Sequence, residues 1–338
     1  MKLLVVAQRV DSRDPILGFF HAWLAAFAER CETVLAVGQA VGAHDLPANV
    51  SVRSLGKERG WGRFTQVIRY WRLLRKLRGE YDAVFVHMSP VWVVLGFPLL
   101  FLLRKPVYLW YEVRRGGRVL RWAVRCARCV FSATPYGLPF RSPKNLVVGH
   151  GIDVDRFRPG GDRDPRLLCA VGRITRIKNL EQCLRALADL PPSYRLFLAG
   201  GTVTRDDERY REELQAFLRK RRLEERVVMR WIAPEELPAV LRQCSLFLHG
   251  GGGGLDKALL EAMACACPVV SSSAAAQELL PASCRATTET FSARAAALLS
   301  LPDADREELG RRLRGIVVSS HGLPSLADRL VAEMEKAS

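Results

Sequence analysis

The residues best suited to chemistry sit in two short segments. Gly250-Gly251-Gly252-Gly253-Gly254 is an unbroken glycine run that feeds Leu255-Asp256-Lys257 and then the strong helix former Ala258-Leu259-Leu260-Glu261-Ala262-Met263-Ala264. Glycine permits positive φ and close backbone approach, so consecutive N–H groups can converge on an anion, and the following helix adds the positive end of its dipole. A loose turn is the competing reading. Upstream, Leu167-Leu168-Cys169-Ala170-Val171 reads as a buried strand, Gly172 turns the chain, and Arg173 and Lys178 bracket the start of a helix over 180–190. Arg forks onto phosphate oxygens and Lys brings a point charge, a combination that neutralises a diphosphate. Two solvated basic side chains on a loop would look the same. Glu261, alone among apolar neighbours, needs partners if buried, and Lys257 one helical turn earlier is one candidate.

These segments need a scaffold, and the hydrophobic pattern supplies one. Apolar strand-like runs at 2–7, 33–37, 83–86, 107–110, 129–132 and 146–148 alternate with helical patterns at about 19–30 and 61–78. After the polar, Pro/Gly-bearing connection 158–166 a second series follows, with strands at 167–171, 195–199, 227–229, 246–248 and 269–271 and a helix over 206–221. The pattern predicts an α/β chain of two Rossmann-like, doubly wound domains facing a cleft, one over 1–155 and one over 156–322. At 338 residues, about half of them apolar, the chain is long enough for two cores. Ligands of such sheets bind at the carboxyl ends of strands, where Gly172, Gly200-Gly201 and the glycine run all fall.

Three blocks carry a resemblance. His150-Gly151-Ile152-Asp153 with Phe157 and Pro159, Val171-Gly172-Arg173 with Lys178-Asn179, and Leu260-Glu261-Ala262-Met263-Ala264 with Pro268-Val269-Val270 resemble, in order and spacing, glycosyltransferase family 4 of GT-B architecture. Gln8-Arg9-Val10-Asp11 with Asp14, Leu17-Gly18-Phe19-Phe20-His21 and Trp23, together with Leu255-Asp256-Lys257, are similar to one bacterial branch of it. The resemblance implies a retaining transferase of the hexosyl type that uses a nucleotide sugar, UDP- or GDP-linked, as substrate and requires no further cofactor and no metal. It implies that Arg173 and Lys178 hold the donor diphosphate, that Glu261 accepts hydrogen bonds from the ribose, and that the final helix, 323–338, packs back onto the first domain. Gly18, Gly172, Gly201, Gly254 and Leu255 are the expected backbone contacts. Two departures stand out: the family's first glutamate, eight residues before Glu261, is Gly253, and the histidine the branch carries near the reacting carbon is Val113. Sugar recognition is therefore expected to move to Asp256 and Lys257, and either Glu112 to serve as the polar group in the cleft or the enzyme to be slow or altered. Ala266 replaces a usual glycine. His87 and His150, at a strand end and in the hinge block, are expected to be structural.

Charge separates the two halves. Residues 1–150 hold 23 Lys+Arg against 9 Asp+Glu, a net +14, which leaves only +2 for the remainder. In 63–78 (RFTQVIRYWRLLRKLR) aromatic and aliphatic residues interleave with Arg and Lys, as suits an anionic membrane surface; a helix that buries its apolar stripe and solvates the rest gives the same pattern. The run 91–103 is interrupted by Pro98 and falls short of the roughly 20 residues that cross a bilayer, so a core helix is expected there, with a shallow membrane dip as the alternative. The nine scattered cysteines and the lack of a signal peptide point to a reducing cytoplasm, and Cys126 and Cys129 are expected to share a packed helix face. The expected partners are a nucleotide sugar, a lipid-linked or envelope-glycan acceptor and the inner membrane surface. A degenerate GT-B protein that binds membrane or nucleotide without transfer, and a nucleotide-sugar epimerase of the same fold, are the alternatives; no nucleic-acid module is found.

Overall fold

The computed structural model describes residues 1–14, 16–113, 115–252 and 254–336, in two compact units: Met1–Gly151 with Leu323–Ser338, and Ile152–Gly322. The boundary thus falls before Ile152 rather than after residue 155, because Ile152 already bonds to the end of the second unit: its N–H donates to His321 O at 2.8 Å.

In the first unit continuous apolar runs become parallel strands. Among the described residues β1 (Lys2–Val10), β2 (Thr33–Val41), β3 (Val50–Ser54), β4 (Ala83–His87), β5 (Val107–Trp110), β6 (Cys129–Ser132) and β7 (Asn145–Val147) pair in the order β3-β2-β1-β4-β5-β6-β7. Helices cover both faces, which is why Leu3, Leu4, Val5 and Val6 are all fully buried irrespective of the face they point to. One face packs α1 (Phe20–Ala28) and the C-terminal helix Leu323–Glu335 around Phe20, Trp23, Phe27, Leu326 and Leu330. Tyr108 in β5 donates its hydroxyl to Met334 O at 3.3 Å, tying that last helix to the sheet. The opposite face packs α2 (Arg63–Lys76), α3 (Pro90–Leu102) and α4 (Arg118–Cys126) over Tyr70, Leu74, Trp92, Val93 and Leu120.

The second unit repeats the plan. Strands β8 (Asp164–Val171), β9 (Arg195–Ala199), β10 (Val227–Arg230), β11 (Cys244–His249) and β12 (Val269–Ser271) run parallel in the order β10-β9-β8-β11-β12 among the described residues. Between them lie α5 (Leu180–Ala188), α6 (Arg205–Arg221), α7 (Leu237–Gln243) and α8 (Lys257–Ala264), followed by α9 (Ala274–Gln277), α10 (Phe291–Leu299) and α11 (Asp303–His321). Thr204 caps α6 reciprocally with Asp207: the hydroxyl accepts from the Asp207 N–H at 3.2 Å and the carboxylate accepts from the Thr204 N–H at 2.9 Å.

Three expectations change. Cys126 and Cys129 do not share a helix, because the chain turns extended at Ala127; Cys126 closes α4 on one side of the sheet, and Cys129 opens β6 and packs on the other. All nine cysteines are free thiols. The run 91–103 is a helix, yet not one buried all round: Trp92, Val93, Gly96 and Leu100 face the core while Val91, Phe101 and Leu102 are exposed. The edge strand β3 and helix α4 were not anticipated, since both are short and rich in polar residues.

Candidate active site

Strands β8 and β11 are neighbours, with Leu168 opposite Leu246 and Cys169 opposite Phe247, so their carboxyl ends deliver Gly172 and His249 to the same edge of the sheet. Gly172 adopts φ +137°, a conformation open to glycine, and a side chain there would meet the Lys178 methylenes at 3.2 Å. Its N–H donates to Ala199 O at 3.0 Å, and the Ile174 N–H to Gly201 O at 2.9 Å, so the loops after β8 and β9 are bonded together.

The glycine run uses the smallness of glycine more than its torsional freedom. None of Gly250, Gly251 and Gly252 has positive φ, but a Cβ on Gly250 would lie 2.4 Å from Asn179 O and one on Gly251 3.1 Å from Ile177 O. Gly250 and Gly251 therefore pack against the backbone of residues 177–179, beside Lys178. Gly250→Ala, facing unyielding main chain, is expected to lower the melting temperature by roughly 5 °C or more, measured by differential scanning calorimetry. Gly253 lies outside the described residues.

Lys178 meets Asp256 in an ion pair, with the two side chains 20% and 14% exposed. His249 Nε2 is 3.3 Å from the same Asp256 oxygen, and its Nδ1 is 2.7 Å from Ser271 Oγ, the residue opposite it in β12. Burial opposes ionisation of Asp256, but the His249 hydrogen bond and the Lys178 charge outweigh it and hold the carboxyl well below the usual carboxylate range. A carboxyl depressed in the folded state adds stability above its ordinary value and loses it as pH falls. Asp256→Asn is accordingly expected to be about 1–3 kcal/mol less stable than the parent at neutral pH, the gap closing below pH about 4, in urea titrations at several pH values.

Asp256 stands at the N-terminus of α8 without capping it, its carboxylate being committed to Lys178 and His249. Lys257, the next residue, and Glu261, one turn further on, are half-buried and sense one another electrostatically: burial lowers the ammonium to about 8, with Glu261 partly restoring it, and burial raises the Glu261 carboxyl against the pull of Lys257. Arg156 adds a second positive charge near both. Lys257 and Glu261 thus sense one another's charge in the free protein. Arg173 is exposed and near enough to Asp207 to help hold that carboxylate low, after the Thr204 and Val203 hydrogen bonds. Among the described residues no group of three or more His, Cys, Asp or Glu is placed to hold a metal ion.

Residues 152–278 match the family model of the glycosyl transferases group 1. That match lies wholly within the second unit. Solved structures similar to the whole chain include the Anabaena protein Alr3699/HepE in complex with UDP and glucose (18% identity, 99% of each chain covered, TM-score 0.75). They include sucrose-phosphate synthase from Thermosynechococcus elongatus (16% identity, 100% of each chain, TM-score 0.77). A third is the lipopolysaccharide outer core galactosyltransferase WaaB (13% identity, 99% of this chain and 100% of that chain, TM-score 0.68). No curated protein sequence gives a significant match. The two parallel-sheet α/β units are the GT-B fold.

In the second unit the structure brings Gly172, Lys178, Gly250, Gly251 and Asp256 together, with Lys257 and Glu261 on the adjoining helix. Sequence reading missed His249 and Ser271, although a polar residue closing each of two paired apolar strands was a usable signal. In the first unit Glu112 is engaged: its carboxylate accepts from the Ala133 N–H (2.6 Å), the Thr134 N–H (3.2 Å) and the Thr134 hydroxyl (2.7 Å), while burial raises its pKa. Val113 is exposed beside it. A Cβ on Gly18 would lie 2.6 Å from Asp14 O, so that glycine lets the loop after β1 close on itself. His87 is buried against Phe20 and Trp23, with ring centroids at 4.4 and 5.5 Å, and His150 is buried beside Trp110.

Proposed function

We propose that the protein is a retaining hexosyltransferase that moves a sugar from a UDP- or GDP-sugar to a lipid-linked or envelope-glycan acceptor at the inner face of the cell membrane. The observation behind this reading is the convergence of Lys178, Gly172, the glycine run and Asp256 at the carboxyl ends of β8 and β11, inside the unit that carries the group 1 match. As the glycosidic bond breaks, negative charge grows on the diphosphate. Cations and amides aimed there stabilise the transition state more than the ground state. Lys178 and Arg173 take that role in place of a metal, Glu261 accepts from the ribose hydroxyls, and Asp256 and Lys257, with the backbone at Gly254 and Leu255, recognise the sugar. Gly172, Gly201 and Gly18 allow close backbone approach. Glu112 is the acidic group the first unit offers toward the reaction, and in the free protein it is occupied by residues 133–134.

The UDP and UDP-glucose complexes of Alr3699/HepE favour a UDP donor, and the name of WaaB favours an envelope acceptor. The test is incubation with UDP- and GDP-hexoses and extracted membrane lipid, following nucleoside diphosphate release and the anomeric proton coupling of the product. An α-linked product from an α-linked donor is expected. A β-linked product, or no turnover with any donor, would overturn the reading.

A further inference from the structure

Helices α2, α3 and α4 lie side by side over one face of the first sheet, and Trp71 locks α2 to α3 by donating its indole N–H to Leu95 O at 2.7 Å. Their outward side is unusual in two ways. It exposes large apolar residues on every helix: Phe64 is 78% exposed, Phe101 70%, Leu102 78% and Trp122 56%. The three helices also carry eight Arg and Lys and no Asp or Glu; all but Arg69 are exposed, and among the described residues none of those seven forms an ion pair.

A helix of a soluble domain ordinarily mixes charge signs on its outer face and leaves few bulky apolar side chains in water. Here aromatic and aliphatic side chains stand among unpaired cations, with Trp122 beside the Arg125 guanidinium at 5.1 Å. A membrane interface satisfies both features at once: phosphate headgroups take up the cations, and the acyl boundary takes up the apolar tips. Among the described residues no helix is long and apolar enough to cross a bilayer. We infer that the α2–α3–α4 face docks on an anionic phospholipid surface, Arg72, Arg75 and Arg121 meeting headgroups and Phe101, Leu102 and Trp122 entering the interface. This names the surface for the membrane partner in the proposed function, and its evidence lies wholly in the first unit.

The test is vesicle co-sedimentation of the full chain, with phosphatidylcholine alone and with equal parts of phosphatidylcholine and phosphatidylglycerol. Selective binding to the mixed vesicles, weakening as salt is raised, is expected. Arg72→Glu with Arg75→Glu and Arg121→Glu is expected to weaken it about tenfold or more. Phe101→Ser with Leu102→Ser is expected to weaken it several-fold while leaving the salt dependence in place. Thermal stabilisation by nucleoside diphosphate serves as the fold control and is expected to be unchanged in both variants, so failure of vesicle binding and failure of donor binding are read separately. Equal binding to both vesicle types, unchanged binding in both variants, or preferential saturation of the face by duplex DNA would each overturn the inference.

Discussion

Lys178→Ala is expected to lower kcat/KM for the sugar donor by about 10²–10³, most of it in kcat. Lys178 follows β8 at the point where Gly172 removes any side chain that would crowd its methylenes, and the backbone of Gly250 and Gly251 closes against its own segment. It is therefore a placed cation with Asp256 as its resting partner. When a diphosphate arrives, the ammonium can exchange a carboxylate for phosphate oxygens, and the attraction grows as the leaving group gains charge. Loss in kcat distinguishes this from ordinary binding, which would appear in KM. Removing Lys178 also leaves the half-buried Asp256 carboxylate with His249 in place of the ion pair, so the thermal midpoint should be recorded alongside initial rates. A variant that keeps its rate within about twofold would remove Lys178 from the reaction.

Glu261→Ala is expected to raise the Kd for nucleoside diphosphate by about tenfold to a hundredfold, the worth of one or two hydrogen bonds to a charged acceptor. The decisive comparison is a 2′,3′-dideoxy analogue, which should bind parent and variant alike, because either change alone removes the same contacts. pH adds a second check. Burial raises the Glu261 carboxyl, so the accepting, ionised form is lost earlier on acidification than for an ordinary glutamate, and nucleotide affinity should fall there. Burial lowers the Lys257 ammonium to about 8, and above that pH Glu261 keeps only Arg156 of its two positive neighbours. Calorimetric titration across this range measures both.

Much of the scaffold was legible because parallel strands covered on both faces are continuous apolar runs. Val107–Trp110, Cys129–Ser132, Arg195–Ala199 and Val269–Ser271 read directly from composition. β3 did not, because an edge strand alternates polar residues into solvent, and α4 did not, because its Arg-rich sequence hides a short apolar stripe. The error over Cys126 and Cys129 followed from missing where α4 ends. At the site, residue type alone singled out Gly172 and Lys178, since charge and turn chemistry are local. The link from Lys178 to Asp256, 78 residues away, and the support of Asp256 by His249 and Ser271 depend on β8, β11 and β12 being neighbours, which only strand order supplies. Of the two uses of glycine read from the run, positive φ and close approach, Gly250 shows the second.

The most direct test of the donor site is thermal stabilisation of the purified protein across nucleoside diphosphates and their sugar conjugates, with Arg173→Ala and Glu261→Ala in parallel. A selective upward shift for one base, lost in both variants, is the expected result. No shift with any nucleotide at roughly millimolar concentration, or a shift indifferent to both substitutions, would contradict a nucleotide-sugar site at the ends of β8 and β11.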